Sequence, residues 1–140
     1  MDTSIFFKIA NNFAMLGWLL LLIVPKWKYT IPFIVSAIIS FLAVSYTFII
    51  IKALPFIKPD VFSSLATIRN LFQNDTALLA GWVHYLAFDL FVGVYIVREA
   101  EKYKIHRLIV TLLLPLIFLF GPIGYVAFKI IKTIKTQVRK

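Results

Sequence analysis

Four long apolar stretches take up most of this sequence, and they restrict what the chain can fold into more than any other feature. They cover residues 5–24, 31–51, 76–97 and 108–131. A helix needs about 20 mostly apolar residues to cross a hydrocarbon core about 30 Å thick. Inside that core every backbone polar group must find its partner within the protein, so such runs are helices. In a chain of 140 residues they leave no room for a soluble domain. The expected fold class is therefore an all-α membrane protein, a four-transmembrane-helix bundle forming a single transmembrane domain over residues 1–140.

The first run carries Lys8, Asn11 and Asn12 in its first half and is the least hydrophobic. It is closed by Pro25 and the basic loop Lys26-Trp27-Lys28, where Trp27 reads as an interfacial belt residue. Its n-region holds only Lys8, and no small-x-small site precedes the loop, so we expect a retained helix and not a cleaved signal peptide. The second run has Pro32 in its first turn, where proline is tolerated, and ends at Lys52. Between the second and third runs, Pro55 and Pro59 flank a loop, and Val61, Leu65, Ile68 and Phe72 follow at helical spacing. Asp60 is the expected cap, and Ser63, Ser64, Arg69 and Asn70 supply a polar side. Residues 60–73 thus read as a short amphipathic helix in the membrane interface. Asn74 or Asp75 is placed to cap the third run, in which Ala77 and Gly81 allow close helix approach. The fourth run contains Pro115 and Gly121-Pro122. Each proline frees the carbonyl four residues back, here those of Thr111 and Phe118, so this helix should be kinked and packed inward at those points.

Hydrophobic residues make up 61% of the chain, against about half in soluble domains, so the excess must face lipid. The chain has 15 Lys and Arg against 6 Asp and Glu, a net charge of +9. The basic residues sit between apolar runs and form no stripe on a polar face, which argues against nucleic acid and for anionic lipid headgroups. Cysteine is absent, which excludes disulfides, iron–sulfur clusters and thiolate metal sites. With four crossings, both termini share a side with residues 52–75, and that side holds nine Lys and Arg against six on the other. The excess places both termini in the cytoplasm, although the short basic loop 98–107 argues the other way.

The third run, Gly81 to Gly93, carries the chemistry. Asp89 lies near its middle, where insertion costs about 2.5–3.5 kcal/mol and where charged groups turn inward and usually serve a function. At about 100° per residue Asp89 shares a face with Trp82, Tyr85, Gly93 and Ile96, while His84 lies about 140° away. Asp89, His84 and Tyr85 are the candidate catalytic residues: a carboxylic acid can act as general acid and an imidazole as base. Trp82, Asn11, Asn12 and Gly93 are the candidate substrate-binding residues. The competing reading is a polar clamp, with the Asp89 carboxyl bonded between helices to fix their packing. His106, beside Arg107, reads as interfacial. His84, Asp89 and His106 have no recognised metal spacing, so no metal is assigned, and no cofactor is identified. There is no Walker loop, no GxSxG and no dinucleotide fingerprint.

Three pieces of this sequence belong together: Trp82 through Gly93, Ile105-His106, and Phe118-Leu119-Phe120-Gly121-Pro122-Ile123-Gly124. With Asn12, Gly17-Trp18 and Pro25 they resemble the abscisic-acid-deficient-four-like membrane proteins, whose plant members are implicated in making neoxanthin from violaxanthin. The resemblance implies a carotenoid or related isoprenoid as the lipid-soluble partner, but assigns no catalytic residue. Plant relatives carry a plastid-targeting extension, whereas here the first apolar run begins by Ile5. Many relatives are bacterial, so a bacterial inner membrane is the expected location. Three roles follow as expectations: an enzyme performing acid/base isomerisation or epoxide opening on a polyisoprenoid, a non-catalytic pigment-binding or scaffold subunit, and a small transporter relaying protons through Asp89. The protein partners expected are further copies of the chain or a partner membrane enzyme. Whether the chain is an enzyme is left open.

Overall fold

The computed structural model describes residues 2–137, and every regular element in it is helical. In chain order these are α1 (Thr3–Ile23), α2 (Thr30–Phe56), α3 (Leu65–Leu71), α4 (Asp75–Lys102) and α5 (Arg107–Gln137). Four of them, α1, α2, α4 and α5, are long and apolar enough to span a membrane, and the chain is an integral membrane protein. All four begin within a few residues of the expected positions, and most run further at their C-terminal ends.

Local chemistry explains most of the boundaries. The Asp2 carboxylate accepts the N–H groups of Ser4 and Ile5 and starts α1. The buried Thr30 hydroxyl donates to the Val24 carbonyl at 2.6 Å and closes the turn into α2. Asn74, and not Asp75, caps α4 by accepting from the N–H groups of Thr76 and Ala77. The interfacial element is shorter than expected. Asp60 does not cap it; residues 60–63 form a turn, and Ser64 starts the helix through a reciprocal capping box with Thr67. Within α2, Ile34–Ile39 is a π-helical stretch, and the Ser40 hydroxyl donates to the Val35 carbonyl across it.

The central helix is α4, which packs against α1, α2 and α5. In lipid, apolar side chains gain little by moving from tails to a helix interface, so close packing has to hold the bundle together. Gly17 is one such place, where an added Cβ would lie 2.6 Å from the Leu90 side chain. Gly93 is another, receiving the buried indole of Trp18. Gly81 plays a different part from the one expected: it makes room for the Phe72 ring of the preceding connector, not for another long helix.

Only α5 is interrupted. Phe120 has φ −143° and ψ 61°, outside the helical region, and divides it into two legs. The legs lie against each other. A Cβ on Gly124 would lie 2.9 Å from the backbone nitrogen of Ile117, an approach impossible between residues seven apart in one continuous helix. Further along, Ile131, Ile134 and Lys135 line one hollow with Ile105, His106 and Ile109. The second leg also follows α4 in the same direction: Gly121 meets Asp89, the rings of Tyr95 and Tyr125 are 6.2 Å apart, and Lys132 pairs with Glu99. This differs from the expectation of a kinked helix that runs on to the N-terminal end of the bundle. The break at Phe120-Gly121-Pro122 reverses the chain, because the non-helical dihedrals of Phe120 coincide with a proline and two glycines that let the legs close. Lys129, Lys132 and Lys135 therefore sit at the end of the bundle that carries the α1–α2 and α4–α5 loops, away from the N-terminus. The other two basic residues counted with them, Arg139 and Lys140, lie outside the described residues.

Candidate functional site

The reversal in α5 brings its break to the middle of α4, and the polar groups of the bundle interior collect there. Pro122 has no N–H for the Phe118 carbonyl. The Tyr85 hydroxyl donates to that carbonyl at 2.8 Å instead, so the freed group is satisfied across helices. No such partner is seen for the Thr111 carbonyl among the described side-chain bonds.

One turn further along α4, the Asp89 carboxyl rests on Gly121. A Cβ at Gly121 would lie 2.9 Å from the Asp89 Cγ, so only glycine leaves the carboxyl its place. Asp89 Oδ2 is buried and has no hydrogen-bond partner among the described residues. A carboxyl oxygen sealed from water without a donor is costly, and native proteins keep such groups where they serve a purpose. Among the described residues it forms no ion pair, and the neighbours that position it are Tyr85, one turn back, and the glycine.

The rest of the α4 face behaves as one surface turned to α1 and α5. The Trp82 indole N–H donates to the Asn11 carbonyl oxygen at 3.2 Å, and the Asn11 amide in turn donates to the Phe7 carbonyl at 2.7 Å. The Trp82 ring lies 5.5 Å from Phe7 and 5.5 Å from Tyr85. Trp18 meets Phe118 edge-on at 5.6 Å and fills the space over Gly93. At the N-terminal end, a groove of about 540 Å³ between α1 and α4 reaches Trp82, with Phe7, Leu78 and Leu79 on its walls and Lys8 and Asp75 among its polar lining.

Of the seven candidate residues, the structure brings together Asp89, Tyr85, Trp82, Asn11 and Gly93 along this side of α4. It separates the other two. His84 faces α2, stacked on Phe88 at 4.5 Å and 5.4 Å from the Tyr46 ring. Asn12 is exposed on the outside of α1, with no side-chain hydrogen bond among the described residues. His106 lies at the α4–α5 loop, where its Nδ1 accepts from the Leu108 N–H at 3.3 Å. Among the described residues no three His, Asp or Glu side chains come close enough to hold a metal ion.

Two participants were missed at the sequence level: Gly121 as the seat of the Asp89 carboxyl, and Trp18 as the residue covering Gly93. The Gly-Pro pair marked the break in α5, but the depth at which it meets α4 depends on the reversal at Phe120. No curated protein and no solved structure matches the chain. A protein-family comparison does match, over residues 5–128, with the description ABA DEFICIENT 4-like. That span contains all but the first two residues of α1, the whole of α2, α3 and α4, and the break in α5 with its Asp89 contact, and the chain belongs to the ABA DEFICIENT 4-like family.

Proposed function

We propose that this protein acts on a carotenoid or related isoprenoid within the bilayer, with Asp89 as the proton-transferring group. Family membership supports a carotenoid-related membrane role. The observation that carries the chemical reading is the buried, unpartnered Oδ2 of Asp89 at mid-span. A clamp would spend that oxygen on a donor in the neighbouring helix, whereas here the donor nearest in sequence, Tyr85, is given to Phe118. Trp82, Tyr85 and Phe118 supply flat apolar surface suited to a polyene, and the groove at Phe7 and Trp82 offers a way in from the lipid side.

Epoxide opening fits this group. The Asp89 carboxylic acid gives its proton to the epoxide oxygen as the C–O bond breaks. The resulting carboxylate takes a proton from the neighbouring carbon as the new double bond forms. Atoms are conserved, nothing is oxidised or reduced, and the carboxyl ends in its starting state. His84 is on the α2 side of α4, and this reading gives it no part in the step.

A second reading, a pigment-binding or scaffold subunit, is favoured by the Tyr85–Phe118 bond and by the tight seat of Asp89 on Gly121, both of which fix helix packing. Its protein partner would be a membrane enzyme or a further copy of the chain. Chromatography of pigments from a carotenoid-producing host, with and without the chain and its Asp89→Asn variant, separates the two. We expect a new or depleted pigment peak that disappears in Asp89→Asn while the variant remains folded in the membrane. An unchanged profile from folded wild-type protein would turn the assignment to the binding role.

A further inference from the structure

The break at Phe120 leaves the first leg of α5 too short to cross a bilayer by itself. Residues 107–119 rise about 20 Å at 1.5 Å per residue, short of a core about 30 Å thick. The first leg enters from the α4–α5 loop, turns at Phe120 beside Asp89, and the second leg leaves by the side from which the first came. Contacts at three depths carry this: Gly121 on Asp89 at the tip, Gly124 on Ile117 and Tyr125 beside Tyr95 about a turn further out, and Lys132 on Glu99 and 4.1 Å from the Tyr103 ring at the mouth.

The reversal redistributes the charge. The end with the α1–α2 and α4–α5 loops carries Lys26, Lys28, Arg98, Lys102, Lys104 and Arg107, and the second leg adds Lys129, Lys132 and Lys135. The opposite end has Lys8, Lys52, Lys58 and Arg69, so the described basic residues divide nine against four. Several of the nine converge from different elements. Lys26, Lys104 and Arg107 line a cavity of about 210 Å³ that also touches Pro25 and Glu101. Arg107 holds the loops together by donating to the Ile23 carbonyl at 3.1 Å. Lys and Arg in short loops stay on the cytoplasmic side, and basic hollows between helices at that surface suit lipid phosphates.

We propose that α5 is a re-entrant hairpin, and that the basic end it completes is docked on the anionic headgroups of the cytoplasmic leaflet, with the N-terminal end of α1 on the opposite side of the membrane. The loop 98–107 and the C-terminal basic residues, which pull in opposite directions when α5 is drawn as a straight crossing, then agree.

The native chain has no cysteine, so single cysteines report position directly. Ser4→Cys, Ser63→Cys, Tyr29→Cys and Gln137→Cys would each be expressed in a bacterial inner membrane and treated with a charged maleimide before and after permeabilisation. We expect positions 4 and 63 to label in intact spheroplasts, and positions 29 and 137 to label only once the membrane is opened. Labelling of 137 together with 4 would overturn the hairpin, and the mirror-image pattern would overturn the orientation. For the headgroups, the full chain is reconstituted in phosphatidylcholine vesicles with and without phosphatidylglycerol. A higher thermal midpoint with phosphatidylglycerol, lost in the Lys26→Gln/Lys104→Gln double variant, is expected. Equal midpoints in the two lipids would overturn the docking surface, and a gain retained by the double variant would overturn its location.

Discussion

A single hydroxyl closes the opening that Pro122 makes in α5. Tyr85 is the only described donor to the Phe118 carbonyl, and its removal leaves that half-buried carbonyl unpaired in a water-poor setting. Tyr85→Phe should therefore destabilise the protein by about 1–3 kcal/mol, read as a lower midpoint of thermal unfolding in detergent micelles. Asp89→Asn should behave differently. The carboxamide has nearly the shape of the carboxyl resting on Gly121, so helical content and membrane yield should stay close to wild type while any pigment conversion is lost. If Asp89→Asn unfolded the protein as Tyr85→Phe is expected to weaken it, the carboxyl would be a packing element and not a proton carrier. Both residues were legible in the sequence, one as the mid-membrane acid and the other on its helical face. The pairing of Tyr85 with Phe118 was half legible, since the proline rule named the freed carbonyl but not its donor. The donor depends on the register of α4 against α5, and local sequence does not encode that register.

Among the elements, the ends of α1 and α4 were readable because caps and prolines are local chemistry. The π-helical stretch Ile34–Ile39 was not, as nothing in Ile-Val-Ser-Ala-Ile-Ile distinguishes a widened turn from an ordinary one. Nor was the reversal of α5. Glycine and proline announce a break, but the size of the bend is set by what the second leg packs against, which lies at Glu99, Tyr95 and Ile117. Gly124 is where the legs are closest, and a branched side chain there has nowhere to go. Gly124→Val should cost about 1–3 kcal/mol through overpacking, lowering the thermal midpoint, while circular dichroism shows that most helix is retained. A midpoint equal to wild type would mean that the legs are not held together in the membrane. The same substitution at an outward position of the second leg, Tyr125 aside, has no such contact to disturb.

At the scale of the whole molecule, the apolar composition that pointed to a membrane appears as an outer surface of bare hydrophobic side chains. Val44, near the middle of α2, is 69% exposed, Phe88 is 60% exposed and Leu112 is 75% exposed, values that water would penalise and lipid does not. Val44 gives a clean test of that surface. Val44→Ala should leave membrane yield and stability near wild type. Val44→Asp should cost roughly 3 kcal/mol of insertion free energy and sharply lower the membrane-integrated fraction in a flotation assay. Composition could say that such a surface exists, but it could not say which residues form it, because α1, α2 and α4 are apolar on nearly every side.

The hairpin also imposes an order on synthesis. Its tip exposes the Phe118 carbonyl and the broken backbone around Phe120, groups that hydrocarbon will not accept alone. The chemistry that satisfies them is on α4, which leaves the ribosome first. The proposed hairpin must therefore wait at the membrane surface until Tyr85 and its helix are in place, so α5 enters by docking and not by crossing.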